Sequence, residues 1–142
     1  MFTIELGVDR KLLLDILSTG IDESCRNGYW GQIEQYKWYW WYVVDKDGEP
    51  DTDKINPDLT GDTVLCRIRD DEDDCAEEED RPWVDITLNK LETAFGQTLK
   101  KYPHTVVPYD TDKENMITEC NYDAVTGDIV LQYICFGEVV YG

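Results

Sequence analysis

Histidine is almost missing from this chain: His104 is the only one in 142 residues. Placed just after Pro103, it is expected on a surface loop, and no grouping of His, Cys and carboxylate spells a nucleophilic triad. No glycine-rich phosphate loop or zinc-ligand spacing is present either, so neither a metal nor a cofactor is expected. A pair of carboxylates working as acid and base is compatible with 31 acidic residues, but no spacing singles one out. Catalysis is therefore not the expected role; binding is.

Paired cysteines are also missing. The five cysteines, at 25, 66, 75, 120 and 135, make an odd number with no Cys-x-x-Cys. Cys66, Cys120 and Cys135 lie next to apolar or aromatic residues, as small buried hydrophobes do. With no disulfide framework, a reducing cytoplasm is the expected setting. Long apolar runs are missing as well, so no membrane span is expected. The opening Met-Phe-Thr-Ile-Glu-Leu has no basic stretch or long apolar core of the kind a signal peptide carries.

Basic residues are scarce: 13 Lys and Arg stand against 31 Asp and Glu, a net charge of −18. Such a field repels nucleic acid and anionic membrane and attracts basic proteins. The charge is uneven. Residues 70–80 hold nine carboxylates and no base, and residues 45–61 hold six acids and two lysines. The rest of the chain has an ordinary excess of acid.

What is present reads as one folded α+β domain over residues 1–142: a small antiparallel sheet packed against about three helices. Residues 2–8 alternate as an opening strand. Asp9 is a candidate N-cap for a helix over 10–24, whose Leu12, Leu13, Ile16, Leu17 and Ile21 recur at helical spacing. Asn27-Gly28 breaks it. Residues 36–44, rich in Trp, Tyr and Val, read as a strand covered on both faces. Residues 45–61 read as a polar loop and 62–69 as a second strand, paired antiparallel with the first. A short strand over 83–86 leads to Thr87, which can cap a helix striped by Leu88, Leu91, Phe95, Leu99 and Tyr102. Lys100 and Lys101 suit its C-terminal end and Pro103 stops it. Residues 102–119 read as irregular, and a last helix covers 123–136.

Two features compete as a binding surface. The first is acidic: Asp45, Asp47, Glu49, Asp51 and Asp53 at every second position, and Asp70, Asp71, Glu72, Asp73, Asp74, Glu77, Glu78, Glu79 and Asp80. An extended chain would project the first set on one side about 6.6 Å apart. Duplex DNA carries about one charge per 3.4 Å of axis on each strand, so two such neighbouring loops could imitate a phosphate backbone. The plain alternative is two solvated loops. A calcium loop starting at Asp45 lacks the Gly and Glu that an EF-hand needs at its sixth and twelfth positions, where Pro50 and Asn56 stand.

The second is aromatic. Tyr29, Trp30, Trp38, Trp40 and Trp41, with Arg67 and Arg69, could hold a signalling nucleotide by stacking and charge. The same rings, with Tyr36, Tyr39 and Tyr42, could be core, or a patch for a protein partner.

The last helix is apolar nearly all round, which predicts burial. Only Asp128 and Gln132 interrupt it, four residues apart on one face. That face either meets solvent, the preferred reading, or is buried with both side chains hydrogen-bonded beside the Asn27-Gly28-Tyr29-Trp30 turn.

Two stretches carry a resemblance. The closing Asp128-Ile-Val-Leu-Gln132-Tyr-Ile-Cys-Phe136-Gly-Glu-Val-Val-Tyr141-Gly, and Glu23-Ser-Cys-Arg-Asn-Gly-Tyr29-Trp30 after the first helix, resemble a family of small bacteriophage and prophage proteins. The resemblance implies a phage accessory origin and no mechanism. Origin and charge together lead to the expectation of a host-defence antagonist, of anti-CRISPR or anti-restriction type. It would act in the host cytoplasm, with its acidic loops blocking a basic nucleic-acid site on a host protein. The alternative is a sponge for a signalling nucleotide.

Overall fold

The all-round apolar last helix lies at the centre of the molecule in the computed structural model, which describes residues 7–72, 81–111 and 116–142. Among the described residues this helix is the third of three α-helices: α1 (Arg10–Ile21), α2 (Leu88–Lys101) and α3 (Ala124–Phe136). It packs against α1, α2 and two strands at once, which buries its middle, residues 126–132. The approach to α1 is backbone-close: a Cβ on Gly20 would stand 2.6 Å from the Gly127 carbonyl oxygen. An Asp123–Thr126 capping box starts α3, and Gly137, at φ 74°, ends it in the left-handed conformation. Thr87 caps α2 by accepting the Lys90 N–H, as its sequence predicts. α1 continues beyond its predicted core as a π-helical turn, Asp22–Arg26.

Among the described residues there are eight short strands: β1 (Gly7–Val8), β2 (Gly31–Glu34), β3 (Tyr42–Val44), β4 (Pro50–Ile55), β5 (Cys66–Asp70), β6 (Val84–Ile86), β7 (Val107–Thr111) and β8 (Met116–Asn121). β5 is central in an antiparallel sheet, with Ile68 opposite Ile33 of β2 and Val84 of β6. β3 and β4 form a separate hairpin. β8 lies between antiparallel β7 and parallel β1. The class is α+β, as predicted, with several small sheets in place of one.

Three local expectations are corrected. Residues 36–44 do not form one strand. Trp38–Trp41 is a 3₁₀ turn, and only Tyr42–Val44 is extended. Trp38, Tyr39 and Trp40 are exposed in succession and Trp41 and Tyr42 are buried, an order that neither a strand covered on both faces nor an alternating one gives. The predicted pairing partner is wrong for the same reason: β3 pairs with β4, inside the supposed loop 45–61, and β5 pairs with β2 and β6. Residues 102–119, read as irregular, contain β7 and the start of β8. Of the opening strand, only Gly7–Val8 falls within the described residues.

Candidate functional site

The polar face of α3 is buried, against the preferred reading of the sequence. Asp128 is 6% exposed and Gln132 fully buried. One Asp128 carboxylate oxygen accepts the Ser24 hydroxyl at 2.7 Å and the Trp30 indole N–H at 2.6 Å. The other accepts the Gln132 amide at 2.8 Å. Gln132 then holds the closing segment as a neighbouring strand would. Its carbonyl accepts the Val140 and Tyr141 backbone N–H groups, and its amide donates to the Tyr141 carbonyl. Tyr141 stacks on Trp30 at 6.1 Å with its plane tilted by 15°, and its hydroxyl donates to the Asp70 carboxylate. The Tyr29 hydroxyl donates to the Gly142 carbonyl. The stretch from Glu23 to Trp30 and the closing stretch from Asp128 to Gly142 thus fold onto one another as a single clasp. Every polar atom named there has a partner, as buried polar groups require.

The acidic segments come out unequal. Residues 73–80, with Asp73, Asp74, Glu77, Glu78, Glu79 and Asp80, lie outside the described residues. Of the run's beginning, Asp70 is held by Tyr141, Asp71 faces Arg81 at 3.5 Å, and Glu72 is exposed. The alternating set does not form a row. Gly48, at φ 81°, reverses the chain between β3 and β4, so Asp45 precedes the turn while Asp51 and Asp53 lie on the return strand. Asp45 closes the turn by accepting the Asp47 and Glu49 N–H groups. Asp51 accepts the Asp53 N–H and lies 3.9 Å from Lys54. The charge of Asp53 reaches Lys11. Asp47 and Glu49 project from an exposed tip. The hairpin therefore carries a cluster of acids on a firm support, not a ladder with phosphate spacing.

The aromatic residues divide by depth. Trp30 and Trp41 belong to the core, at 1% and 0% exposure. Trp38, Tyr39 and Trp40 are exposed to 41%, 52% and 45%. The Trp41 indole N–H donates to the Leu65 carbonyl, and Asn56 donates to the Trp40 carbonyl, which pins the 3₁₀ turn. Beside it a groove of about 360 Å³ is lined by Gln35, Lys37, Trp40, Val64 and Leu65. Arg67 is paired with Asp85 at 2.7 Å, and Arg69 donates to Gln32 and lies over the Trp83 ring. The seven residues nominated for a nucleotide are thus spread over the clasp, the turn and β5. Two of them offer no ring face to a ligand.

Sequence reasoning passed over Val44 and Val64 as surface residues, and Tyr141 and Ser24 as partners of Asp70 and Asp128. Only the tertiary fold could have found them.

Burial pushes the thiols of Cys25 and Cys135 up to about 12, and that of Cys120 to about 11. Cys66 is raised by the same cause. Among the described residues, no three His, Cys, Asp or Glu side chains gather as a metal site, and no helix is long and apolar enough to cross a membrane. Comparison with family models, with curated proteins and with solved structures gives no match.

Proposed function

We propose that this protein acts by binding, and that its acidic hairpin occupies a basic, nucleic-acid-binding site on a partner protein. The observation that carries the reading is the exposed tip of the β3–β4 hairpin, with Asp45, Asp47 and Glu49 on a preorganised turn, in a chain of net charge −18. Acidic groups fixed before contact speed encounter with a basic surface and lose little freedom on docking. The resemblance to phage proteins adds the context: a defence factor of the bacterial host is the partner it implies. A nucleotide sponge draws less support, because Trp30 and Trp41 are buried and Arg67 is already paired.

The test is a pull-down from bacterial lysate at 50 mM and 400 mM salt, repeated with the Asp45→Asn, Asp47→Asn, Glu49→Gln variant. The reading expects a partner retained at low salt, released at high salt, and held about tenfold more weakly by the variant. Retention indifferent to both changes would overturn it.

A further inference from the structure

The proposed hairpin contact leaves the exposed rings of Trp38, Tyr39 and Trp40 without a role. Three large aromatic side chains in one short turn form an unusual concentration of apolar surface, and Val44 and Val64 beside them are exposed as well. Exposed apolar groups of this density mark interaction surfaces, and Trp and Tyr supply the strongest contacts in such surfaces. The turn is not loose. Trp41 is fully buried beneath it, the Trp40 N–H donates to the Lys37 carbonyl, and Asn56 of the β4 end donates to the Trp40 carbonyl.

Residues of a 3₁₀ turn radiate about 120° apart, so the rings do not make one flat stacking platform. Trp38 meets Tyr39 and Tyr42 edge to face, while Trp40 walls the groove with Val64. The chain runs from the turn through the three residues of β3 directly to the acidic tip. The tip is about 10 Å of extended chain from the turn, and residues 34–64 carry eight acids against three lysines, one of which, Lys37, lines the groove beside Trp40. That local charge selects a cationic occupant.

We infer that the Trp38–Trp41 turn is the docking surface for arginine side chains of the basic partner. Rings and carboxylates then divide the work. The carboxylates steer by charge, and the rings hold guanidinium groups by cation–π and apolar contact that salt screens poorly. This rests on the proposed binding of a basic partner and adds which side chains of that partner are gripped, and where.

The test uses labelled deca-arginine and deca-lysine peptides as probes, with affinity read by fluorescence anisotropy at 50 mM and 300 mM NaCl. The expected result is that the protein binds both at 50 mM. At 300 mM it should keep deca-arginine at least fivefold tighter than deca-lysine, and deca-arginine should quench the tryptophan emission. The Trp38→Ser, Tyr39→Ser, Trp40→Ser variant should lose that preference while keeping its low-salt binding. The single Trp40→Leu variant, which removes one exposed ring, should lose part of it. Equal affinity for the two peptides at 300 mM, or a preference that survives the ring substitutions, would overturn the docking role and leave the electrostatic reading standing. No binding of either peptide at 50 mM would overturn both.

Discussion

Asp128 is the residue on which the clasp turns. Its carboxylate takes three side-chain donors, Ser24, Trp30 and Gln132, all neutral and none well exposed. Asp128→Ala orphans the Ser24 hydroxyl and the Trp30 indole N–H and leaves the Gln132 amide only the Tyr141 carbonyl, and each buried donor left unpaired costs about 1–3 kcal/mol. Urea denaturation should show Asp128→Ala less stable by about 3 kcal/mol or more, with Ser24→Ala costing only about 1 kcal/mol. Near-equal midpoints for the two variants would contradict the clasp. The buried thiols give a second prediction at this scale. Cys25 and Cys135 hold their protons to about 12 when folded, against an ordinary 9.0. Below pH 9 both folded and unfolded chains keep these protons and the stabilisation is whole. As pH rises from 9 towards 12 the unfolded chain ionises first, so stability falls. The urea midpoint should drop across that window. At pH 8 a thiol reagent should label Cys66 and Cys120, both buried, only after unfolding.

Helices were the most legible elements, because periodicity, caps and stops agree with one another. The stripe of Leu88, Leu91 and Phe95 and the all-round apolar α3 each appear where their patterns place them. Composition misled at residues 36–44, where β-prone side chains are packed too densely for a strand to bury them all. The chain winds into a 3₁₀ turn instead, sending Trp41 inward and three neighbours out. β4, β7 and β8 were illegible because acids, Pro and Thr give them weak alternation; pairing with neighbours defines them. The α1–α3 contact was equally hidden, since single glycines at 20 and 127 announce nothing in sequence. Gly20→Ala would drive a methyl into the Gly127 backbone at 2.6 Å, and Gly127→Ala would meet the Gly20 nitrogen at 2.6 Å. Backbone cannot yield as a side chain does, so each change should cost about 1–3 kcal/mol in urea denaturation. By contrast Gly96→Ala, where an added Cβ meets nothing within 4 Å, should be neutral or mildly stabilising.

For the whole molecule, charge was legible and its arrangement was not. The sequence shows where the acids are dense, but only the fold shows that Gly48 turns a presumed ladder into a hairpin cluster. Only the fold, likewise, places Asp70 under the hydroxyl of Tyr141. The account that remains is a firm core, a clasp joining the Tyr29-Trp30 turn to the closing residues, and an acidic hairpin carried beside exposed rings. If that hairpin takes the place of nucleic acid on its partner, the two must compete. The most direct measurement is displacement: partner captured from lysate on the immobilised protein at low salt, then challenged with a short DNA duplex. The account predicts release in proportion to the duplex added, with the released protein itself binding the duplex. A partner that stays bound through saturating duplex, or that has no affinity for nucleic acid, would contradict it.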